Sequence, residues 1–173
     1  AKFVSQTISF FVWGAFIEEY MKYWAVKVSV IRNPEFDEPP DAMIYMITAA
    51  LGFAAIENIL ILFNVIPDGA TQAVSVWALR FTGATLLHAL SSAIVGFFLG
   101  LSWFYDHHKK KFLSAGIIIA SVFHLIFNLI IFFEVANGFL YNFLLLSSLI
   151  SLVIGMFSKI KQRHIRYLAS SSE

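Results

Sequence analysis

Residues Ala42–Ile66 read "AMIYMITAALGFAAIENILILFNVI", and this stretch decides the fold class. It holds a single charged residue, Glu57, among its 25 residues. A helix needs about 20 predominantly apolar residues to cross the hydrocarbon core of a bilayer. The apolar residues form a continuous run rather than an alternating pattern, so the stretch predicts a transmembrane helix and not a strand of a membrane barrel.

The rest of the chain repeats this character. It has 173 residues, of which 59% are hydrophobic and 13% charged, whereas about a quarter of a soluble domain is charged. The fold class that we predict is all-α, a polytopic transmembrane helix bundle with a polar intramembrane cavity. Residues 1–158 form one domain, and residues 159–173 form a basic cytoplasmic tail. The domain has five segments, at about residues 3–31, 42–66, 73–104, 112–135 and 139–157.

The positive charges near the segment ends predict the orientation. The connectors on one side carry no Lys or Arg, and the basic residues cluster after the first, third and fifth segments. We expect those three stretches, and therefore the C-terminus, to face the cytoplasm of a prokaryotic cell membrane. Ala1 then lies on the outer side, so we expect further segments upstream. The basic residues are Lys27, Arg32, Lys109, Lys110, Lys111, Lys159, Lys161, Arg163 and Arg166.

Ionisable side chains at membrane depth point to a functional site. Glu18, Glu57, His88 and His124 come from four different segments. Each lies about 12–16 residues from the cytoplasmic end of its segment, which is roughly 18–24 Å along a helix. Because such residues are rare in a bilayer unless they face a cavity, pair together or carry function, we expect one convergent site.

Local spacing adds neighbours to this site. Glu18 and Lys22 are four residues apart, so they share a helical face and are expected to pair. His124 and Asn128 have the same spacing. Glu19 projects about 100° away from Glu18, and we rank its direct role lower.

Three further polar features belong to the segments, and the first two have more than one interpretation. Asn58 lines the same cavity or forms a hydrogen bond between helices. Arg80 either reaches the lipid headgroups or neutralises a carboxylate. Small residues around Ser91 and Ser92 predict a close approach between helices.

Two chemical schemes fit these residues. In the first, Glu57, His88 and His124 bind Zn²⁺ with water in the open position, and Glu18 or Glu19 is the general base. In the second, no metal binds, and a glutamate and a histidine activate water directly while His124 and Asn128 stabilise the oxyanion. Both schemes describe amide hydrolysis inside the membrane, although the His-Glu-x-x-His signature of soluble zinc proteases is absent.

Two functions from other classes use the same residues. An ion- or proton-coupled transporter would use the carboxylates and imidazoles as a relay. Such transporters often contain paired repeats, and this chain shows no internal repeat. An inactive binding or immunity protein on the same scaffold is the third candidate. We expect no nucleic-acid partner.

Four short motifs give the chain a family resemblance. They follow one another in order, one per segment: "EEYMK" at Glu18–Lys22, "GFAAIEN" at Gly52–Asn58, "RFTGATLLH" at Arg80–His88 and "HLIFN" at His124–Asn128. Each motif alone is weak, but the ordered set resembles the PrsW family of membrane-embedded proteases. That family is related to the CAAX prenyl proteases of the CPBP superfamily.

The resemblance implies an intramembrane endopeptidase. It implies that Glu18 or Glu19 is the base, with His88, His124 and Asn128 as essential partners. Lys22, Glu57 and Asn58 lie within the motifs and join the candidate catalytic set. The CAAX branch has an imidazole where this chain has Glu57, which makes the present site more acidic. The substrate implied is a membrane protein or peptide, such as a single-pass anti-sigma factor.

Overall fold

A computed structural model describes residues 2–133 and 136–171 of the chain. Six α-helices account for most of them, and no strand occurs in these ranges. The helices are α1 (Lys2–Ser29), α2 (Asp41–Val65), α3 (Ala70–Leu79), α4 (Thr85–Leu101), α5 (Lys109–Phe132) and α6 (Gly138–Ser171). The predicted all-α fold class is therefore confirmed.

The helices agree closely with the predicted segments. A π-helical turn, Arg80–Ala84, joins α3 to α4, so that the third segment is one interrupted rod from Ala70 to Phe104. The segment starts and the first three segment ends agree within three residues. The end predicted at Val135 lies outside the described residues. The helix α6 continues through the basic tail to Ser171 because no Pro or Gly interrupts residues 156–171.

Four of the helical rods are long and apolar enough to cross a membrane. They are Asp41–Asp68, Ala70–Phe104, Lys109–Phe132 and Gly138–Ser170. The helix α1 has sufficient length at 28 residues, but it carries Glu18, Glu19 and Lys22 near its centre. Its role as a fifth crossing stays a prediction.

The helix α4 lies at the centre of the bundle and contacts α1, α2, α5 and α6. Glycine allows its closest approach, which is to α2. A Cβ atom added at Gly96 would lie 2.6 Å from the Ala42 carbonyl oxygen and 2.6 Å from Met43 Cα. Within the small-residue stretch around Ser91 and Ser92, Gly96 thus packs against the start of α2, whereas the two serines contact Glu19 on α1.

The bundle buries a few polar and charged residues within an apolar core. Glu19, Lys22, His88 and His124 are among these buried polar residues. Large apolar side chains such as Phe63 and Phe139 are exposed on its surface, 69% and 80% respectively. This exposed apolar surface suits a lipid surround, because extended apolar surface is rare on soluble monomers.

Candidate active site

The ionisable residues of four helices meet in one place. The rings of His88 on α4 and His124 on α5 lie 4.9 Å apart between centroids, nearly perpendicular to each other. Glu18 and Glu19 on α1 lie close to His124, and Glu57 on α2 lies close to His88. These residues, which lie at similar depths along their segments, are thus also close together in space.

Glu19 is completely buried and each carboxylate oxygen has a hydrogen-bond donor. Its Oε1 accepts hydrogen bonds from Lys22 Nζ at 2.7 Å and Ser91 Oγ at 2.9 Å. His124 Nδ1 lies 3.1 Å from the same oxygen. Its Oε2 accepts a hydrogen bond from Ser92 Oγ at 2.9 Å. A carboxylate held by this many donors is fixed in position, and it can in turn fix the groups that surround it.

Glu18 has the opposite environment. Its side chain is 27% exposed and lines a cavity. Its Oε2 has no hydrogen-bond partner among the described residues and lies 3.6 Å from His124 Nε2. The Glu18 side chain thus reaches the cavity, whereas its Oε2 is itself buried beside His124. Two adjacent glutamates thus differ completely in environment, because the 100° step along α1 directs one toward α4 and the other toward the cavity.

The predicted pairing of Glu18 with Lys22 is wrong. Lys22 Nζ instead forms an ion pair with Glu19, three residues away, and the Lys22 side chain is fully buried. Spacings of three and four residues both bring side chains together on a helix. Burial decides between them, because Glu19 lies on the face that packs against α4 and there needs a counter-ion.

Two charged partners hold His88 from opposite sides. Lys22 Nζ lies 2.8 Å from His88 Nδ1, and Glu57 Oε2 lies 2.8 Å from His88 Nε2. An ammonium group only donates hydrogen bonds and a carboxylate only accepts them. The contacts therefore require a neutral imidazole with its proton on Nε2, donated to Glu57, and with Nδ1 accepting from Lys22.

Arg80 keeps Glu57 in this position. Arg80 Nη2 lies 3.0 Å from Glu57 Oε1, and Arg80 Nε donates to Asn58 Oδ1 at 2.8 Å. Asn58 Nδ2 donates to Thr85 Oγ1 at 3.0 Å, so Asn58 links α2 to the start of α4. Of the two interpretations left open for Arg80, the structure shows the neutralised carboxylate. For Asn58 it shows the interhelical hydrogen bond.

The π-helical turn contributes to this arrangement. Arg80 is its first residue, and Thr85 follows directly after its last. A π-helical turn shifts the register of the following residues and often occurs at functional sites. Sequence reasoning treated Arg80 as ambiguous and did not identify Thr85. The available signal was the intramembrane Arg itself, since a buried cation needs an anion nearby.

The protein surrounds a cavity of about 1240 Å³ next to these groups. Glu18, Glu57, His88 and His124 line its polar part, and residues of all six helices and of the π-helical turn complete it. The remaining lining is predominantly apolar. Asn128, one helical turn beyond His124, also lines the cavity, as predicted from its spacing. Glu19 and Lys22 are not among the lining residues.

The residues Glu18, His88 and His124 each place one ligand atom within 4.8 Å of the other two. This set shares both histidines with the predicted zinc set but has Glu18 in place of Glu57. His124 suits a metal because its Nδ1 faces the Glu19 carboxylate, which leaves Nε2 free on the cavity side. Glu18 Oε2 also lacks a hydrogen-bond partner within the part of the chain that the structure describes.

His88 does not fit a metal in this arrangement. Both of its ring nitrogens are already within hydrogen-bond distance of charged partners. It would have to release Lys22 or Glu57 before it could direct a lone pair at a metal. Two residues of the set therefore offer free ligand atoms, whereas three protein ligands are usual at catalytic zinc.

Comparisons with known proteins agree with the motif pattern. A family model described as "PrsW family intramembrane metalloprotease" matches residues 1–156. The chain is 34% identical over 118 residues to the protease PrsW of Bacillus subtilis, covering 66% of this chain and 50% of that protein. It is 32% identical over 117 residues to the protease PrsW of Oceanobacillus iheyensis, covering 68% and 51%.

A third relative, the protease PrsW of Geobacillus kaustophilus, is 33% identical over 114 residues, covering 66% of this chain and 48% of that protein. The chain spans about half the length of the curated relatives it matches. No solved structure matches it significantly. The bacterial relatives and the four apolar rods identify an integral bacterial membrane protein. The match over residues 1–156 shows that the chain belongs to the PrsW family of intramembrane metalloproteases.

Proposed function

We propose that this protein is an intramembrane endopeptidase in which Glu18 activates the attacking water. The carrying observation is the Glu18 side chain, which is 27% exposed and lines the cavity, with Oε2 3.6 Å from His124 Nε2. A general base must reach the proton that it removes, and a water molecule in the cavity would lie next to this side chain. Family membership supports the same reaction class.

The proposed reaction has two proton transfers at Glu18. The Glu18 carboxylate takes a proton from water while the water oxygen bonds to the carbonyl carbon of the scissile peptide. In this proposal the resulting oxyanion accepts hydrogen bonds from Asn128 Nδ2 and from the Nε2–H of a His124 imidazolium whose Nδ1–H faces Glu19, and both residues line the cavity. Glu18 then gives the proton to the departing nitrogen as the C–N bond breaks, leaving a carboxylic acid and an amine, between which a proton passes to give a carboxylate and an ammonium group.

The buried residues position these groups. Glu19 orients His124 through Nδ1, while Lys22 and Glu57 hold His88 in one tautomer. In this proposal His88, Lys22, Glu57 and Asn58 act through other residues rather than on water. Because both nitrogens of His88 are occupied, no step of the proposed reaction depends on a metal. A zinc ion held by Glu18 and His124 would supply Lewis-acid polarisation of the carbonyl group.

The substrate that we propose is a membrane-embedded peptide segment, for example in a single-pass protein such as an anti-sigma factor. The largely apolar cavity lining supports a hydrophobic segment. The C-terminal extension of α6 would face the cytoplasm, as the positive charges predict. A relation to the CAAX prenyl proteases remains part of the proposal. The family match favours hydrolysis over the ion- or proton-coupled transporter.

Cleavage of a defined peptide panel tests this function. The full chain is reconstituted in liposomes with synthetic transmembrane peptides from bacterial single-pass proteins, and products are identified by mass spectrometry. Glu18→Gln is expected to lower the cleavage rate by about 10²–10⁴-fold, as for loss of a general base. His124→Ala should also abolish cleavage. Glu35→Gln, which alters an exposed carboxylate in the loop after α1, is the matched control.

Two results would contradict the proposal. One is an undiminished cleavage rate in both Glu18→Gln and His124→Ala. The other is ion flux across the same liposomes without any peptide product, which would favour the transporter.

A further inference from the structure

Asn142 is a polar residue of the cavity that belongs to none of the four motifs. It lies on α6, which carries no motif residue, and its side chain lines the cavity. Its Oδ1 is buried and has no hydrogen-bond partner among the described residues. Buried acceptors are nearly always satisfied in folded proteins, so an unsatisfied one calls for a physical explanation.

The position of Asn142 relates it to the proposed active site. The helices α5 and α6 are antiparallel neighbours that approach each other at two levels. Gly138 lies against Ile130 near the turn, and Leu146 packs in one cluster with Phe127 further along.

Asn128 and Asn142 each lie between those two contacts on their own helix. They are consequently at similar heights on two walls of one cavity. Asn128 is in turn one helical turn from His124. Asn142 therefore lines the same cavity as Asn128, on the neighbouring helix.

A transmembrane substrate would need an unpaired hydrogen-bond acceptor in the cavity. A peptide bond in a helix must be freed from helical structure before water can attack its carbonyl carbon. The unwound backbone then has N–H groups without partners, and an apolar cavity supplies no water to satisfy them. Asn142 Oδ1 is a buried acceptor in the cavity wall that has no hydrogen-bond partner among the described residues.

We propose that Asn142 Oδ1 accepts a hydrogen bond from a backbone N–H of the unwound peptide substrate, beside the scissile bond. The inference rests on the proposed protease function and deepens it. Asn142 would then determine how the substrate backbone is held, whereas Glu18 and His124 act on the reacting atoms. The bond depends on the peptide backbone and not on a side chain, so it would not select a particular substrate sequence.

Asn64 provides a matched comparison within the same chain. It is also an Asn on an apolar helix, but its Nδ2 donates to the carbonyl oxygen of Leu60 and it does not line the cavity. Its replacement by Leu removes an amide from a membrane helix without touching the cavity. Asn64→Leu is thus the control for general effects on folding and insertion.

The test combines Asn142→Leu with amide-to-ester replacement in the substrate. A synthetic transmembrane peptide that the wild-type protein cleaves is remade as a series, each member having one backbone N–H near the scissile bond replaced by an ester oxygen. In the wild-type protein, one ester position should lower kcat/KM by about tenfold, the effect expected for one hydrogen bond. Asn142→Leu should lower kcat/KM for the all-amide peptide by a similar factor, mainly through KM.

The decisive result is non-additivity. At the sensitive position the ester should have no further effect in Asn142→Leu, because the two changes remove the same hydrogen bond. Asn142→Gln, which keeps the amide oxygen, should recover part of the loss. Asn64→Leu should behave as wild type with every peptide of the series.

Additive losses at every ester position, or wild-type kcat/KM in Asn142→Leu, would overturn the inference. If Asn142→Leu does not fold, Asn142→Gln and Asn142→Ser are measured with the same peptides, and additive losses in both would overturn it equally. Failure of the proposed function is a separate outcome, recognised by undiminished cleavage in Glu18→Gln and His124→Ala.

Discussion

Two sides of the same site differ in how completely their polar groups are satisfied. On the side that packs against α4, Glu19 has a donor at each carboxylate oxygen, and Lys22 bridges it to His88. On the cavity side, Glu18 Oε2 and Asn142 Oδ1 have no hydrogen-bond partner among the described residues. The satisfied side can hold its side chains in fixed positions. The open side, whose acceptors are unpaired in the described part of the chain, can bind water and substrate. Substitutions on the two sides should therefore have different consequences.

The largest effect on stability is expected on the satisfied side. Glu19→Gln removes the carboxylate opposite Lys22 and leaves a buried cation without its counter-ion. Breaking a buried ion pair in this way costs about 3–5 kcal/mol. The free energy of unfolding in detergent should fall by this amount, as measured by denaturation followed by circular dichroism. Cleavage should also be lost because His124 is no longer oriented.

Glu18→Gln is the matched control for this experiment. It alters the adjacent carboxylate, which has no hydrogen-bond partner at Oε2 within residues 2–133 and 136–171. Its free energy of unfolding should stay within about 0.5 kcal/mol of the wild type. Equal destabilisation by the two substitutions would contradict the division into a satisfied and an open side.

A smaller effect is expected for the link between the two sides. Arg80→Gln removes the ion pair that holds Glu57 against His88. We expect the cleavage rate to fall about tenfold. This factor corresponds to a loss of about 1.4 kcal/mol through poorer positioning of the site. In the wild type, ¹⁵N NMR of labelled histidine should show His88 as the Nε2–H tautomer, and Arg80→Gln should give a mixture.

Arg163→Gln serves as the control, because Arg163 contacts Tyr105 and Phe104 away from the cavity. An unchanged His88 spectrum in Arg80→Gln would show that Glu57 holds its position without the arginine.

The smallest effect is expected from metal removal. Both nitrogens of His88 are occupied, so the proposed mechanism predicts unchanged cleavage after chelation, with a metal content below one zinc per ten chains. The measurement is elemental analysis of the purified protein together with cleavage before and after chelator treatment. Loss of cleavage on chelation, with recovery when zinc is added, would replace the metal-free scheme by the zinc scheme.

Much of the site was predictable because intramembrane ionisable residues are few. Glu18, Glu57, His88 and His124 were identified by type and by equal depth along their segments, and the structure brings them together. Asn142 was missed because it lies outside every motif and a single Asn in a membrane helix gives no distinctive pattern. Arg80 was noticed, but its partner depended on the packing of α2 against the π-helical turn.

The sequence by itself determined that the chain is an all-α membrane bundle, where its helices lie, and which residues form a common polar layer. These properties follow from hydropathy and helical spacing, which are local. The tertiary structure alone decided that Glu19 is saturated and Glu18 open, that Lys22 pairs with Glu19, and that His88 is held between two charges. Those choices depend on which face of α1 packs against α4, and interhelical packing is not encoded in the spacing along one helix.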